Sequence, residues 1–201
     1  MSAASFAQPR TRGRGLLEPY LARWRAAKAN ALIPAALRQG AILDIGCGRH
    51  SYFLATTAFK HKFALDQLPP LEPDTQIEWL VRDLNEDAHL PFEDGQMSVI
   101  TLLAVAEHLH PHSLASLLRE AHRALHPGGR LILTTPAGWT AGLLAAMARY
   151  GLLSRVEIDE HVVAYTPQRL RQQLEEAGFA ARQIQQGSFE LGMNLWAQAE
   201  R

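Results

Sequence analysis

The sequence predicts an α/β fold, a three-layer sandwich with a seven-stranded, mostly parallel sheet whose last strand is antiparallel. Two observations predict it. From Ala41 onward, short apolar runs alternate with helical patterns, as in sheets whose parallel strands are joined by crossover helices. Near the C-terminus two further runs stand too close together for a crossover, so they must pair antiparallel.

The elements follow in order. Residues 1–15 read as an arm. Residues 16–39 read as helix interrupted near Pro34, with Leu17, Tyr20, Leu21 and Trp24 at helical spacing as its apolar side, and Gly40 ends it. Residues 41–45 form an apolar run without alternation, the mark of a strand buried on both faces. A helix over 51–60 comes next, then strands over 62–65, 77–81 and 97–105. Residues 111–125 place Leu114, Leu117, Leu118, Ala121 and Leu125 on one helical face. His126-Pro127-Gly128-Gly129 stops that helix, and 130–134 is the fifth strand. Thr166 and Pro167 open the last helix as N-cap and first residue, and Gly178 closes it. The hairpin is expected from strands 179–185 and 189–197 around a turn at Gln186-Gly187-Ser188. Residues 1–39 are therefore read as an N-terminal arm with cap helices and 40–201 as the main domain, with 138–165 inserted between its fifth strand and last helix.

Composition narrows the function classes. Twenty basic residues balance twenty acidic ones, so no global field draws the chain to nucleic acid, although residues 1–30 carry Arg10, Arg12, Arg14, Arg23, Arg25 and Lys28 against only Glu18. One cysteine, Cys47, excludes an internal disulfide and a multi-thiolate zinc site and suits a reducing compartment. The N-terminus lacks a secretory apolar core, though its arginines and alanines also fit a transit peptide; the expected location is cytoplasmic. The longest uncharged stretch, 131–148, contains Pro136, Gly138 and Gly142 and is rejected as a transmembrane helix.

The chemistry concentrates at strand ends. Asp44-Ile45-Gly46-Cys47-Gly48 closes the first strand, and glycines in such a turn let a ligand approach the backbone. A nicotinamide-binding turn would place a third glycine at position 51, which is Ser51. Asp66 ends the second strand, where a carboxylate can accept from both hydroxyls of a ribose. Asp83 follows the third strand and suits either an adenine amino group or a helix cap.

These segments, with Ala64-Leu65-Asp66, Arg82-Asp83-Leu84, Leu90-Pro91-Phe92-Glu93-Asp94-Gly95, Val105-Ala106-Glu107-His108-Leu109 and Arg123-Ala124-Leu125-His126-Pro127-Gly128-Gly129, resemble class I S-adenosylmethionine-dependent methyltransferases. The pattern looks most like the small-molecule, ubiquinone-biosynthesis-type branch. The resemblance covers 40–136 well and 160–197 more loosely. It implies a Rossmann-like sheet and S-adenosylmethionine as cofactor. It also implies a cofactor site of Asp44, Gly46, Cys47, Gly48, Asp66, Gln67, Asp83, Leu84 and Ala104. Residues 104–107 would pass beneath the sulfonium. His50 departs from the family, which has a small residue there.

Methyl transfer from a sulfonium is an in-line displacement, in which alignment supplies much of the rate. A base is needed only where the acceptor must lose a proton. His108, beside Glu107, and His161 are the candidates. Nothing fixes ligand spacing among Glu107, His108, Asp159, Glu160 and His161, so no metal is expected. Tyr20 and Trp24, and the stripe Leu143, Leu144, Met147, Tyr150, Leu152 and Leu153, are expected to cap a small-molecule or lipid- or glycan-linked acceptor. A non-catalytic cofactor-binding module is the reading from another class. Oligomeric state is expected to be monomer or homodimer.

Overall fold

The computed structural model describes residues 18–72, 74–140, 142, 149 and 165–201. Seven strands form one sheet: β1 (Ala41–Ile45), β2 (His61–Asp66), β3 (Glu78–Val81), β4 (Met97–Leu103), β5 (Leu125–Pro136), β6 (Ile184–Phe189) and β7 (Asn194–Glu200). Their order is β3-β2-β1-β4-β5-β7-β6. β1 to β5 are mutually parallel, and β7 runs against both of its neighbours. The strand order reverses between β1 and β4, and in such sheets ligands bind in the crevice at the carboxyl ends of the strands flanking the reversal.

Helices α1 (Glu18–Leu32), α2 (Tyr52–Thr56), α3 (Pro111–Ala124) and α4 (Pro167–Glu176) flank the sheet. Alternation along the strands divides the core. Ile42, Ala64, Val99 and Ile132 face Ala26, Ala29 and Ile33 with Phe53 and Leu54 on one side. Leu43, Ile45, Ile100, Leu102, Leu131 and Leu133 face Leu114, Leu117, Leu118, Leu170 and Leu174 on the other. Each such leucine or isoleucine contributes about 1.5–3 kcal/mol by leaving water.

Four local expectations are corrected. On α1 the small residues Ala26 and Ala29 are buried, while Tyr20 and Trp24 are exposed; a helix lying close on a sheet favours short side chains on that face. The helix after the glycine turn spans only Tyr52–Thr56. The fifth strand is longer than expected, Leu125–Pro136, because His126–Arg130 continue as strand once α3 ends. The hairpin turn lies at 190–193, not 186–188. Gly187 is a mid-strand residue paired with Trp196, and a Cβ there would lie 2.8 Å from the indole Nε1. Its glycine makes room for a ring rather than for a turn.

Thr166 caps α4 as expected, its hydroxyl accepting the Arg169 N–H at 3.2 Å. Ala137 and Tyr165 form a parallel bridge, and the Gly138 N–H donates to Tyr165 O at 2.9 Å. Of the insertion expected over 138–165, most residues, including the stripe 143–153, lie outside the described residues. No helix among the described residues is long and apolar enough to cross a membrane.

Candidate cofactor and active site

The turn after β1 is stitched to the end of β2. The Gly46 N–H donates to Leu65 O at 2.7 Å, and the Gly48 N–H donates to Asp66 Oδ2 at 2.9 Å. Both glycines are left-handed, with φ of 66° and 67°, where a side chain is strained. Their surroundings differ. A Cβ on Gly46 would lie 2.3 Å from Val105 Cγ2, whereas one on Gly48 would meet nothing within 4 Å. Gly46 therefore lets the β1 and β4 loops close on each other, and Gly48 presents bare backbone to open space.

Asp66 is 3% exposed and its Oδ1 accepts the Leu68 N–H at 3.0 Å. Gln67 follows it and is exposed. Asp44, at the same end of β1, is buried and accepts from Thr101 Oγ1 at 2.6 Å. Burial lifts its carboxyl to about 7; the Thr101 hydroxyl opposes that rise and the nearby Asp66 adds to it. Burial, Asp44 and Asp66 also hold the Cys47 thiol far above its ordinary range, so it is no thiolate nucleophile. Ser51 is left-handed at φ 37°. The position keeps a glycine-like backbone although the residue is serine.

Across the crevice β4 runs into Ala104, itself left-handed at φ 60°, with its N–H held by Thr134 O at 2.9 Å. A short turn, Ala106–His108, follows. Glu107 is 2% exposed and His108 is half-buried, its N–H donating to Val105 O at 3.0 Å. Tyr165 donates its hydroxyl to Ala106 O at 3.3 Å, so the foot of the inserted segment touches this turn.

Asp83 accepts the Asn85 N–H at 2.9 Å through Oδ1, which makes it a turn cap and leaves Oδ2 for another donor. Leu84 beside it is buried. Asn85 Oδ1 in turn accepts the His110 N–H at 2.9 Å, and its Nδ2 donates to His108 O at 3.4 Å. The loop after β3 is thereby fastened to the loop after β4.

Gly46, Gly48, Asp66, Asp83 and Ala104 thus all stand at the carboxyl ends of four adjacent strands. His161 lies outside the described residues. His110 and His112 are exposed and stack on each other with centroids 5.8 Å apart. Sequence reasoning missed Thr101, Asn85 and Tyr165. Among the described residues no group of three or more His, Cys, Asp or Glu is arranged to hold a metal ion.

Known proteins share this architecture. A Mesorhizobium loti S-adenosylmethionine-dependent methyltransferase is 20% identical with a TM-score of 0.67, the match covering 90% of this chain and 100% of that one. A Burkholderia thailandensis 1,6-didemethyltoxoflavin-N1-methyltransferase, solved with its substrate and S-adenosylhomocysteine, is 18% identical with a TM-score of 0.60 over 90% of this chain and 78% of that one. An Archaeoglobus fulgidus S-adenosylmethionine-dependent methyltransferase is 14% identical with a TM-score of 0.63 over 89% and 94%. No individually curated protein sequence matches significantly. The family described as "Methyltransferase domain" matches residues 18–184. The match takes in most of the chain, which therefore belongs to the methyltransferase-domain family, class I proteins whose methyl donor is S-adenosylmethionine.

Proposed function

We propose that the protein methylates a small-molecule or lipid- or glycan-linked acceptor by in-line displacement, in the manner of the small-molecule branch its motifs resemble. The observation that carries this reading is the bond from Gly48 N–H to Asp66 Oδ2. It joins the bare turn to a buried carboxylate at the end of β2, an arrangement of backbone and acceptor that fits an adenosyl amino acid. When bound, the cofactor supplies an electrophilic methyl group on a sulfonium.

The chain's own residues do the rest. Asp66, with Gln67, holds the ribose. Asp83 Oδ2 and Leu84 take the adenine. Asp44, Gly46, Cys47 and Gly48 surround the methionine end, and Ala104 supports the reacting centre from below. Holding both reactants in line contributes the larger part of the rate. Where the acceptor is a hydroxyl, His108 removes its proton, with Glu107 beside it on the same turn and His161 as the alternative base.

Calorimetric titration of the full chain with S-adenosylmethionine, S-adenosylhomocysteine and NAD tests the reading. Both adenosyl ligands are expected to bind and NAD is not. Binding of NAD alone would overturn it. A labelled-methyl transfer screen against lysate fractions, with products weighed by mass spectrometry, then identifies the acceptor.

A further inference from the structure

The β6–β7 turn holds a second cluster that the cofactor site does not use. Pro136 pairs with Asn194, and the Ala137 N–H donates to Met193 O at 2.8 Å. The turn therefore lies beyond the carboxyl end of β5, on the same edge of the sheet as the crevice. Glu190 follows β6, three strand spacings from β4, about 14 Å.

Three features of this turn bear on what it could hold. First, Glu190 is only 8% exposed; Asn194 Nδ2 donates to its Oε2, while its Oε1 is buried with no hydrogen-bond partner. Buried polar atoms are nearly always paired, and an exception marks strain or function. Second, Glu190, Leu191 and Gly192 are left-handed in succession, with φ of 52°, 57° and 84°; two of them carry side chains that disfavour this conformation. Third, the turn carries an exposed aromatic ring: Trp139 is 65% exposed while its Nε1 donates to Gly192 O at 3.2 Å. α1 carries Arg25, whose charge reaches Glu190.

We propose that this turn is the acceptor subsite and that it takes a sugar ring, with a ring hydroxyl donating to Glu190 Oε1 and the Trp139 indole lying against the ring's C–H face. The chemistry selects this class. Glu190 Oε1 calls for a donor, and a hydroxyl supplies one without bringing a charge into a buried place. The exposed indole has an apolar face and a polar edge, the two surfaces a saccharide presents. Reaching Oε1 requires the turn to shift, and a shift out of the left-handed region relieves the strain held by Glu190 and Leu191. The span of about 14 Å to β4 is bridged by a chain of two or three rings, so a saccharide held here at one end presents its other end over the reacting centre. This inference rests on the methyltransferase reading and narrows its acceptor.

Saturation-transfer NMR on the full chain tests it, run with and without S-adenosylhomocysteine. The probes are methyl and octyl β-glycosides of glucose, galactose, mannose and N-acetylglucosamine, the octyl forms below their micelle concentration. Tyramine and phenylacetate serve as charged aromatic controls. At least one glycoside is expected to bind. Glu190→Gln, which keeps the Asn194 bond, and Trp139→Ala should each weaken it by about tenfold. S-adenosylhomocysteine affinity should be unchanged in both variants. Tighter binding of an octyl form identifies a lipid-linked sugar, and equal binding a free one; both support the proposal. No glycoside binding, binding indifferent to both substitutions, or a preference for tyramine overturns it. Failure of S-adenosylhomocysteine to bind the unmodified protein instead overturns the methyltransferase reading.

Discussion

Two turns on the same edge of the sheet use left-handed backbone in opposite ways. After β1 the conformation falls on Gly46 and Gly48, which adopt it without penalty. Between β6 and β7 it falls on Glu190 and Leu191, which do not. Each turn also has a buried carboxyl, Asp44 or Glu190, lifted above its ordinary range by burial. The first turn gives the conformation to two glycines and leaves the strained residue, Ser51, at the start of α2. The second holds strain and an unanswered acceptor, as a surface does when its partner is not part of the chain.

The largest expected effect tests the first turn's carboxyl. Asp44 titrates near 7 in the fold against 3.8 in the open chain, so the fold favours its protonated form. That contribution is complete below about pH 4 and is lost as pH rises through 7. Asp44→Asn should abolish this loss, which amounts to at most about 4 kcal/mol. Urea unfolding of both proteins from pH 4 to 8 measures it, and parallel curves would show that Asp44 carries no such shift.

Next comes Gly46→Ala, expected to cost about 3 kcal/mol or more, from left-handed strain together with collision on Val105. Gly48→Ala has the strain without the collision and should cost about 1–2 kcal/mol. Equal losses would mean that contact with Val105 does not distinguish the two glycines. Asp66→Ala should weaken S-adenosylhomocysteine by about 1–3 kcal/mol in calorimetry, and unchanged affinity would remove Asp66 from the ribose. The smallest effect belongs to the other turn. Leu191 is 96% exposed, so Leu191→Gly loses no packing. Relief of about 1–2 kcal/mol of strain, less about 0.4–1 kcal/mol for the freer unfolded chain, leaves a net gain of about 0.5–1 kcal/mol. A lowered melting temperature would contradict the claim that this turn is strained.

What sequence reveals and conceals follows the range of the interactions. β1 and β4 are legible because burial on both faces demands unbroken apolar runs, and Asp66 is legible because its place at a strand end is itself local. The hairpin turn is displaced in the sequence reading because Gly187 answers to Trp196 on the neighbouring strand rather than to its own backbone. The inner face of α1 is misread because alanines, not the aromatic pair, fit against the sheet. Thr101 and Tyr165 escape notice because their partners, Asp44 and the Ala106 carbonyl, lie 57 and 59 residues away. Asn85 resembles any turn residue until the loops it joins are seen together.

The bridge between Ala137 and Tyr165 has a consequence for the history of such chains. The pair brings the chain beyond β5 together with the chain that enters α4, and the cost of closing a loop grows only slowly with its length. Insertion or deletion between Thr140 and Tyr165 is expected to leave the register of β5 and β7 untouched. The pair is therefore a natural splice point, where a lineage can trade one stretch of chain for another while inheriting the sheet intact, and where a chimaera is best joined.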